Sequence, residues 1–183
     1  PSDVADVTRE VVRRMRAGSR IDGAGALPGS EAIARAVASL ANAFDAQHGG
    51  FGDAPKFPRP ATLGLLARHH RRTGDPRALE MLERTLAAMA AGGIRDQVGG
   101  GFHRYSTDPR WLVPHFEKML YDNAQLAMAY LEGFQLTGRE DFAQVARDTL
   151  DYLDREMSDP AGGFHSATDA DSRGTDGRGE EGV

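Results

Sequence analysis

The chain has no cysteine among its 183 residues, which excludes disulfide frameworks, thiolate nucleophiles and Cys-ligated zinc or iron–sulfur centres. No apolar run reaches 18 residues, so there is no candidate membrane span, and the first ten residues lack the basic start, apolar stretch and cleavage site of a signal peptide. Long basic runs are missing as well. With 22 Lys and Arg against 27 Asp and Glu, the net charge is −5, which argues against nucleic acid as a partner. Aromatics make up only 7%, with a single Trp. The remaining composition, 40% hydrophobic and 27% charged, is that of a soluble domain with a real core. We expect a cytoplasmic protein, cut from something longer since it begins at Pro1, whose chemistry uses carboxylates, His, Lys, Tyr or hydroxyls.

Glycine, by contrast, is plentiful at 22 residues, and it is clustered. A Gly-Gly-Phe triplet recurs at Gly49-Gly50-Phe51, Gly100-Gly101-Phe102 and Gly162-Gly163-Phe164, with spacings of 51 and 62 residues. Such self-similarity marks an internal repeat.

Between the triplets the apolar residues keep helical period. Ile33, Val37, Leu40, Ala41 and Phe44 predict a helix over about 31–46. Leu63, Leu66, Ala67 and His70 predict a second after Pro60, and Leu79, Leu82, Leu86 and Met89 a third after Asp75-Pro76, an N-cap followed by proline in the first turn. Phe116, Met119, Leu120, Asn123, Ala127, Tyr130 and Phe134 predict a helix of about 22 residues from near Pro114. Phe142 to Met157 predict its partner. Thr73-Gly74 and Thr137-Gly138 are the tight turns. The aperiodic segment Ser106–Pro114 reads as an insertion. Val4, Val7, Val11, Val12 and Met15 predict an N-terminal helix, followed by a linker, so residues 1–29 stand apart from 30–183. Antiparallel helix pairs with alternating short and long connections put the long loops at one end. The three Gly-Gly-Phe loops are therefore expected to converge, with Phe51, Phe102 and Phe164 all buried.

Polar residues gather in those loops, over 45–57, 94–118 and 162–173. Carboxylates, imidazoles and flat aromatic faces together suit a sugar-binding cleft, where hydroxyls need polar partners and the C–H face of the ring stacks on aromatics. The densest stretch is Trp111–Asn123. On a helix from Pro114, Lys118 and Asp122 would share a face and His115 would sit in the first turn. Glu117 and His115, with Asp169 and Asp171 from the third loop, are the candidate catalytic residues. Asp53, Lys56, His103, Arg104, Tyr105, Trp111, Lys118, Asp122 and Asn123 are the candidate binding residues. A first-turn carboxylate can equally serve the helix dipole, and an Asp-Asn pair can simply fix loops. Asp169–Glu180 partly fits a calcium loop, but Arg173 stands where an oxygen donor belongs and Asp176 where an apolar residue packs. We assign no metal and no cofactor. His69-His70, flanked by Arg68, Arg71 and Arg72, reads as a solvated basic face.

The strings Gly-Gly-Phe-Gly-Asp-Ala-Pro-Lys-Phe-Pro from Gly49, Val-Gly-Gly-Gly-Phe-His-Arg-Tyr-Ser-Thr-Asp from Val98, Trp-Leu-Val-Pro-His-Phe-Glu-Lys-Met-Leu-Tyr-Asp-Asn-Ala from Trp111, and Gly-Gly-Phe-His-Ser-Ala-Thr-Asp-Ala-Asp-Ser from Gly162 resemble the spermatogenesis-associated protein 20 family. The resemblance spans roughly Ala41 to Ser172. It implies an all-α fold, part of an (α/α)6 toroid related to N-acylglucosamine 2-epimerases and six-hairpin glycosidases, in proteins that also carry a thioredoxin-like domain. A toroid needs about twelve helices, and five are legible here besides the N-terminal one, so the thioredoxin-like domain and the later hairpins are expected outside this chain.

The function expected from this is a carbohydrate-active or carbohydrate-binding toroid of epimerase or glycosidase type. The alternative is a non-catalytic scaffold accompanying the thioredoxin-like domain. A partial toroid leaves helix faces without neighbours, so we also expect self-association through them.

Overall fold

The computed structural model describes residues 2–18, 29–173 and 179–181. The 19–28 linker and the middle of the Asp169–Glu180 loop, including Asp176, lie outside the described residues. The chain divides into two compact units, Pro1–Ala32 and Ile33–Val183. In the first, α1 (Ser2–Gly18) carries a Glu10 that accepts from Arg13 and Arg14.

In the second unit, α2 (Ser30–Ala43) continues into it from Ile33, and α3 (Pro60–Thr73), α4 (Pro76–Ala91), α5 (Leu120–Thr137) and α6 (Glu140–Glu156) follow. Within each pair the helices are joined by the turns the sequence predicts. Gly74 and Gly138 take left-handed backbone at φ 73° and 70°, and their amides close back onto His70 and Phe134. Asp75 caps α4 by accepting from the Arg77 amide at 3.0 Å. The hairpins stack, α5 against both α3 and α6, and α4 against α6. Their apolar stripes meet in one core with Leu63, Leu66, Leu82, Leu86, Met89, Tyr130 and Phe142 wholly buried. Tyr130 keeps its hydroxyl satisfied by donating to the Leu86 carbonyl at 2.8 Å. His69 and His70 are not a solvated face: His69 Nε2 lies 3.4 Å from Asp75 and His70 Nδ1 bonds the Asp75 carbonyl at 2.8 Å, so both tie α3 to the start of α4.

The three Gly-Gly-Phe loops follow α2, α4 and α6, and each closes with one antiparallel bridge, Phe44 to Phe51, Arg95 to Phe102 and Ser158 to Phe164. The loops do meet. Lys56 and Ser106 exchange both backbone hydrogen bonds, joining the first loop to the second. Three short antiparallel pairs complete the loop end: β1 (Tyr105–Ser106) with β2 (Pro114–His115), β3 (Lys118–Met119) with β4 (Ala167–Thr168), and β5 (Asp171–Arg173) with β6 (Gly179–Glu181).

Two further expectations are corrected. The segment 114–119 is extended, and α5 begins only at Leu120. Its backbone finds partners in β1 and β4 and in the Arg104 amide, which donates to Glu117 at 2.8 Å, so tertiary pairing overrides the local helical period. Phe164 is not buried: it is 58% exposed, against 2% for Phe51 and 0% for Phe102.

Candidate functional site

The first two loops are built on one plan. Asp45 and Asp96 each stand six residues before the Phe of their triplet. Asp45 Oδ1 accepts from the amides of Gln47 and His48, both at 2.9 Å, and Asp96 Oδ1 from those of Val98 and Gly99 at 3.0 and 2.7 Å. The second oxygen takes a lysine: Lys56 Nζ reaches Asp45 at 2.6 Å, and Lys118 Nζ reaches Asp96 at 2.7 Å. Both lysines also donate to the first glycine carbonyl of the triplet, Gly49 at 2.7 Å and Gly100 at 2.8 Å. Lys56 has a third acceptor in Pro109 and lies 5.3 Å from the Trp111 ring, while Lys118 sits 4.5 Å over the Tyr152 ring.

A compact ammonium with three donors fits such a pocket better than a planar guanidinium. The whole chain contains only these two lysines against 20 arginines. Burial works against the charge on Asp96, yet the Lys118 bond and the two amides outweigh it and hold its pKa at about 2. At Asp45 burial is likewise outweighed by Lys56 and the amides, and the pKa is pulled far below the carboxylate range.

Lys56, Lys118, Trp111 and Asn123 are thus engaged inside the loop end. Trp111 is fully buried with its indole N–H on the His48 carbonyl at 3.0 Å. Asn123 accepts from the Phe102 amide at 2.6 Å and donates to the Phe102 and Met119 carbonyls.

The extended backbone of 114–119 sends alternate side chains to opposite sides. On one side are His115 and Glu117, 3.9 Å apart, with Arg104 donating to Glu117 at 2.6 Å. Tyr105 stacks on His115 with centroids 4.9 Å apart, and Phe57 lies at 4.9 Å on Tyr105. That builds a flat aromatic edge beside the charged trio. Asp122, in the first turn of α5, has its pKa raised to about 6 by burial, assisted by Glu117 and opposed by Arg104.

On the other side, Phe116 and Lys118 line an open cavity of about 430 Å³ with Asp96, Tyr152, Thr168 and Asp169. His103 is buried, and its Nδ1 lies 3.0 Å from the Phe116 carbonyl. A carbonyl only accepts, so Nδ1 carries the proton and Nε2 keeps its lone pair. Burial lowers the pKa of His103 below the usual histidine value. Asp171 is exposed at the start of β5, and its amide donates to Asp169 at 3.3 Å. Asp53 is exposed in the first loop.

The structure therefore gathers Arg104, Tyr105, His115, Glu117 and Asp122 into one cluster and puts Asp169 on the neighbouring cavity wall. Asp53 lies outside both groups. Sequence reasoning missed Asp45, Asp96 and Asp108 as loop organisers. Asp108 accepts from the amides of Arg110, Leu112 and Val113 and so shapes the apparent insertion. The fixed Asp-to-Phe interval and the scarcity of lysine were the available signals.

No family model matches the chain. Human spermatogenesis-associated protein 20 is 54% identical over 142 residues, covering 75% of this chain and 18% of that protein. The chain spans about a fifth of the length of the curated relatives it matches. Among solved structures, a sugar epimerase from a ruminal bacterium superposes with a TM-score of 0.66 at 15% identity, over 73% of this chain and 37% of that one. A family 76 glycoside hydrolase from a bovine Bacteroides thetaiotaomicron strain gives 0.55 at 18% identity, over 66% and 25%. These likenesses show the fold, part of a helical-hairpin toroid. With over half of the aligned residues shared with the human protein, the chain belongs to the spermatogenesis-associated protein 20 family.

Proposed function

We propose that this segment forms part of the ligand-facing loop end of a carbohydrate-active toroid of epimerase or glycosidase type, taking a mono- or disaccharide. The observation that carries this reading is the Arg104–Glu117–His115 trio beside the Phe57–Tyr105–His115 stack: paired polar groups for hydroxyls next to a flat face for a sugar ring. Asp122, protonated up to about pH 6, is the proton donor in this proposal, and Glu117 the acceptor. Asp169 and Asp171 are the third loop's contribution. The toroid fold shared with a sugar epimerase and a glycoside hydrolase supports the substrate class. A cytoplasmic setting belongs to the same proposal. Among the described residues no helix is long and apolar enough to cross a membrane.

The test is calorimetric titration and thermal shift of the full-length protein against a panel of mono- and disaccharides. Saturable binding that Glu117→Gln weakens at least tenfold, with the fold intact, supports the reading. Absence of binding to every sugar sinks it.

The second reading, a scaffold accompanying a thioredoxin-like domain, is favoured by the inward engagement of Lys56, Lys118, Trp111 and Asn123. Retention of full function by a Glu117→Gln, Asp169→Asn double variant would select it.

A further inference from the structure

The two lysine clamps differ by one hydrogen bond. Lys56 Nζ meets three acceptors, on Asp45, Gly49 and Pro109, and the residue is wholly buried. Lys118 Nζ meets two, on Asp96 and Gly100, and its third proton has no acceptor among the described residues although the residue is only 8% exposed. Register explains the difference. Lys56 bridges to Ser106, and its third acceptor is the carbonyl three residues further on, at Pro109. Lys118 pairs with Thr168 in the same way, but three residues further on Asp171 begins β5 and gives it no hydrogen bond. Lys118 instead lines the open cavity of about 430 Å³.

A second polar group on that cavity is left without a bond. Tyr152 lines it and is 3% exposed, and its hydroxyl stands beside the Thr168 side chain but is buried with no hydrogen-bond partner among the described residues. Burial, the largest cause, pushes its pKa up, so the hydroxyl keeps its proton. A buried hydroxyl without a partner is costly, and a ligand oxygen that bonds it removes the cost. The remaining walls carry both signs of charge. Asp96 is paired with Lys118 and Glu156 with Arg155 at 2.8 Å, while Asp169 accepts only the Asp171 amide among the described residues. Phe116, partly exposed, adds a flat apolar face.

We propose that this cavity binds a neutral polyol, with a vicinal diol of a sugar ring as the recognised group. One ligand hydroxyl accepts the third proton of Lys118, its neighbour bonds the Tyr152 hydroxyl, their own protons turn to Asp169, and Phe116 covers the C–H face. The class follows from the charges. A carboxylate or phosphate is opposed by Asp169 and Glu156, and an ammonium is opposed by Lys118, whereas a hydroxyl accepts from the one side and donates to the other. The inference rests on the carbohydrate reading and adds to it a second ring position, across the extended 114–119 backbone from the Arg104–Glu117–His115 trio.

Tyr152→Phe makes the test direct, because it keeps the ring under Lys118 and against Gly101 and removes only the hydroxyl. In calorimetric titrations of the full-length protein with D-glucose, D-mannose and mannitol, the variant is expected to bind about tenfold more weakly than the parent. The melting temperature of the ligand-free variant should not fall, since that hydroxyl has no bond to lose. Glucuronate and glucosamine, which carry a charge of either sign into the cavity, should bind more weakly than glucose. Unchanged binding in Tyr152→Phe would overturn this site, as would a lowered melting temperature or equal affinity for glucose and glucuronate. Glu117→Gln, titrated beside it, tells the two positions apart. Loss in Glu117→Gln alone leaves the trio as the ligand position and removes this one; loss in Tyr152→Phe alone keeps this site and removes the trio; no binding of any of the five compounds removes both.

Discussion

Lys56 lies wholly buried with its ammonium 2.6 Å from the Asp45 carboxylate, and it is the link through which the first loop also holds Pro109 of the second. Removing one partner of a buried ion pair leaves the other charge without compensation, at a typical cost of about 3–5 kcal/mol. Asp45 retains some contact with water, so Lys56→Met is expected to cost about 3 kcal/mol in urea unfolding. Lys56→Arg should recover little of that, because the planar fork cannot meet three acceptors around one point.

Acid should break the second clamp late. Asp96 is depressed to about 2 in the folded protein, so its contribution is fully present above the unfolded value near 4 and is lost as pH falls through 2. The contribution is on the order of 2 kcal/mol. Thermal unfolding followed from pH 5 to pH 2 should show this loss, and Lys118→Met should remove most of it.

Asp122 has the opposite sign. Its pKa, raised to about 6, means that the folded chain prefers the protonated acid, so stability present below pH 4 declines as pH rises through 6. Asp122→Asn is expected to stabilise the protein by about 1–2 kcal/mol at pH 7.5, with no gain at pH 4. The same substitution should weaken any proton-transfer activity. A variant that is equally stable at both pH values relative to the parent would show that Asp122 is not desolvated.

Equivalent glycines should respond unequally. An alanine at Gly101 combines a φ of 75° with a Cβ 2.5 Å from the Tyr152 ring, and at least about 2 kcal/mol of destabilisation is expected. At Gly163, with φ 90° and open space, only the backbone cost of about 1 kcal/mol should appear.

Self-association of the isolated chain is proposed through the exposed apolar residues Met128 and Leu131 of α5 and Leu150 of α6. Burying several hundred Å² of apolar surface at about 25 cal/mol per Å² gives ample driving force. Sedimentation equilibrium should show a concentration-dependent dimer or larger species that Met128→Glu with Leu150→Lys converts to monomer. A parent chain that remains monomeric at 100 µM would contradict it.

The helices were legible because their signals are local. Pro60, Asp75-Pro76 and the Thr-Gly turns set ends by backbone chemistry that a short window contains, and the apolar stripes of α3, α4 and α6 meet the core as their period predicts. The start of α5 was not, because Phe116, Met119, Leu120 and Asn123 mimic a helical face while the backbone of 114–119 is claimed by strands that arrive from Tyr105 and Ala167. The candidate cluster was legible in composition but not in geometry. Extended backbone pairs His115 with Glu117, and it turns Lys118 inward to Asp96, away from the face it would have shared with Asp122 on a helix. The exposure of Phe164 was not legible either, because its local string matches those of Phe51 and Phe102, whereas burial is decided by packing with residues distant in sequence.

The single Trp of the chain is the residue whose indole donates across 63 positions to His48, beside the Lys56 ammonium. Its emission is therefore a private optical channel on the seam between the first two loops, free of interference from any other indole. Opening of that seam by denaturant, acid or a bound sugar would admit water to the ring and move the spectrum to longer wavelength, while global unfolding of the helices is read separately by far-ultraviolet dichroism. Two transitions that separate in those two signals would resolve the loop end as its own cooperative unit, resting on the helical core without sharing its melting point.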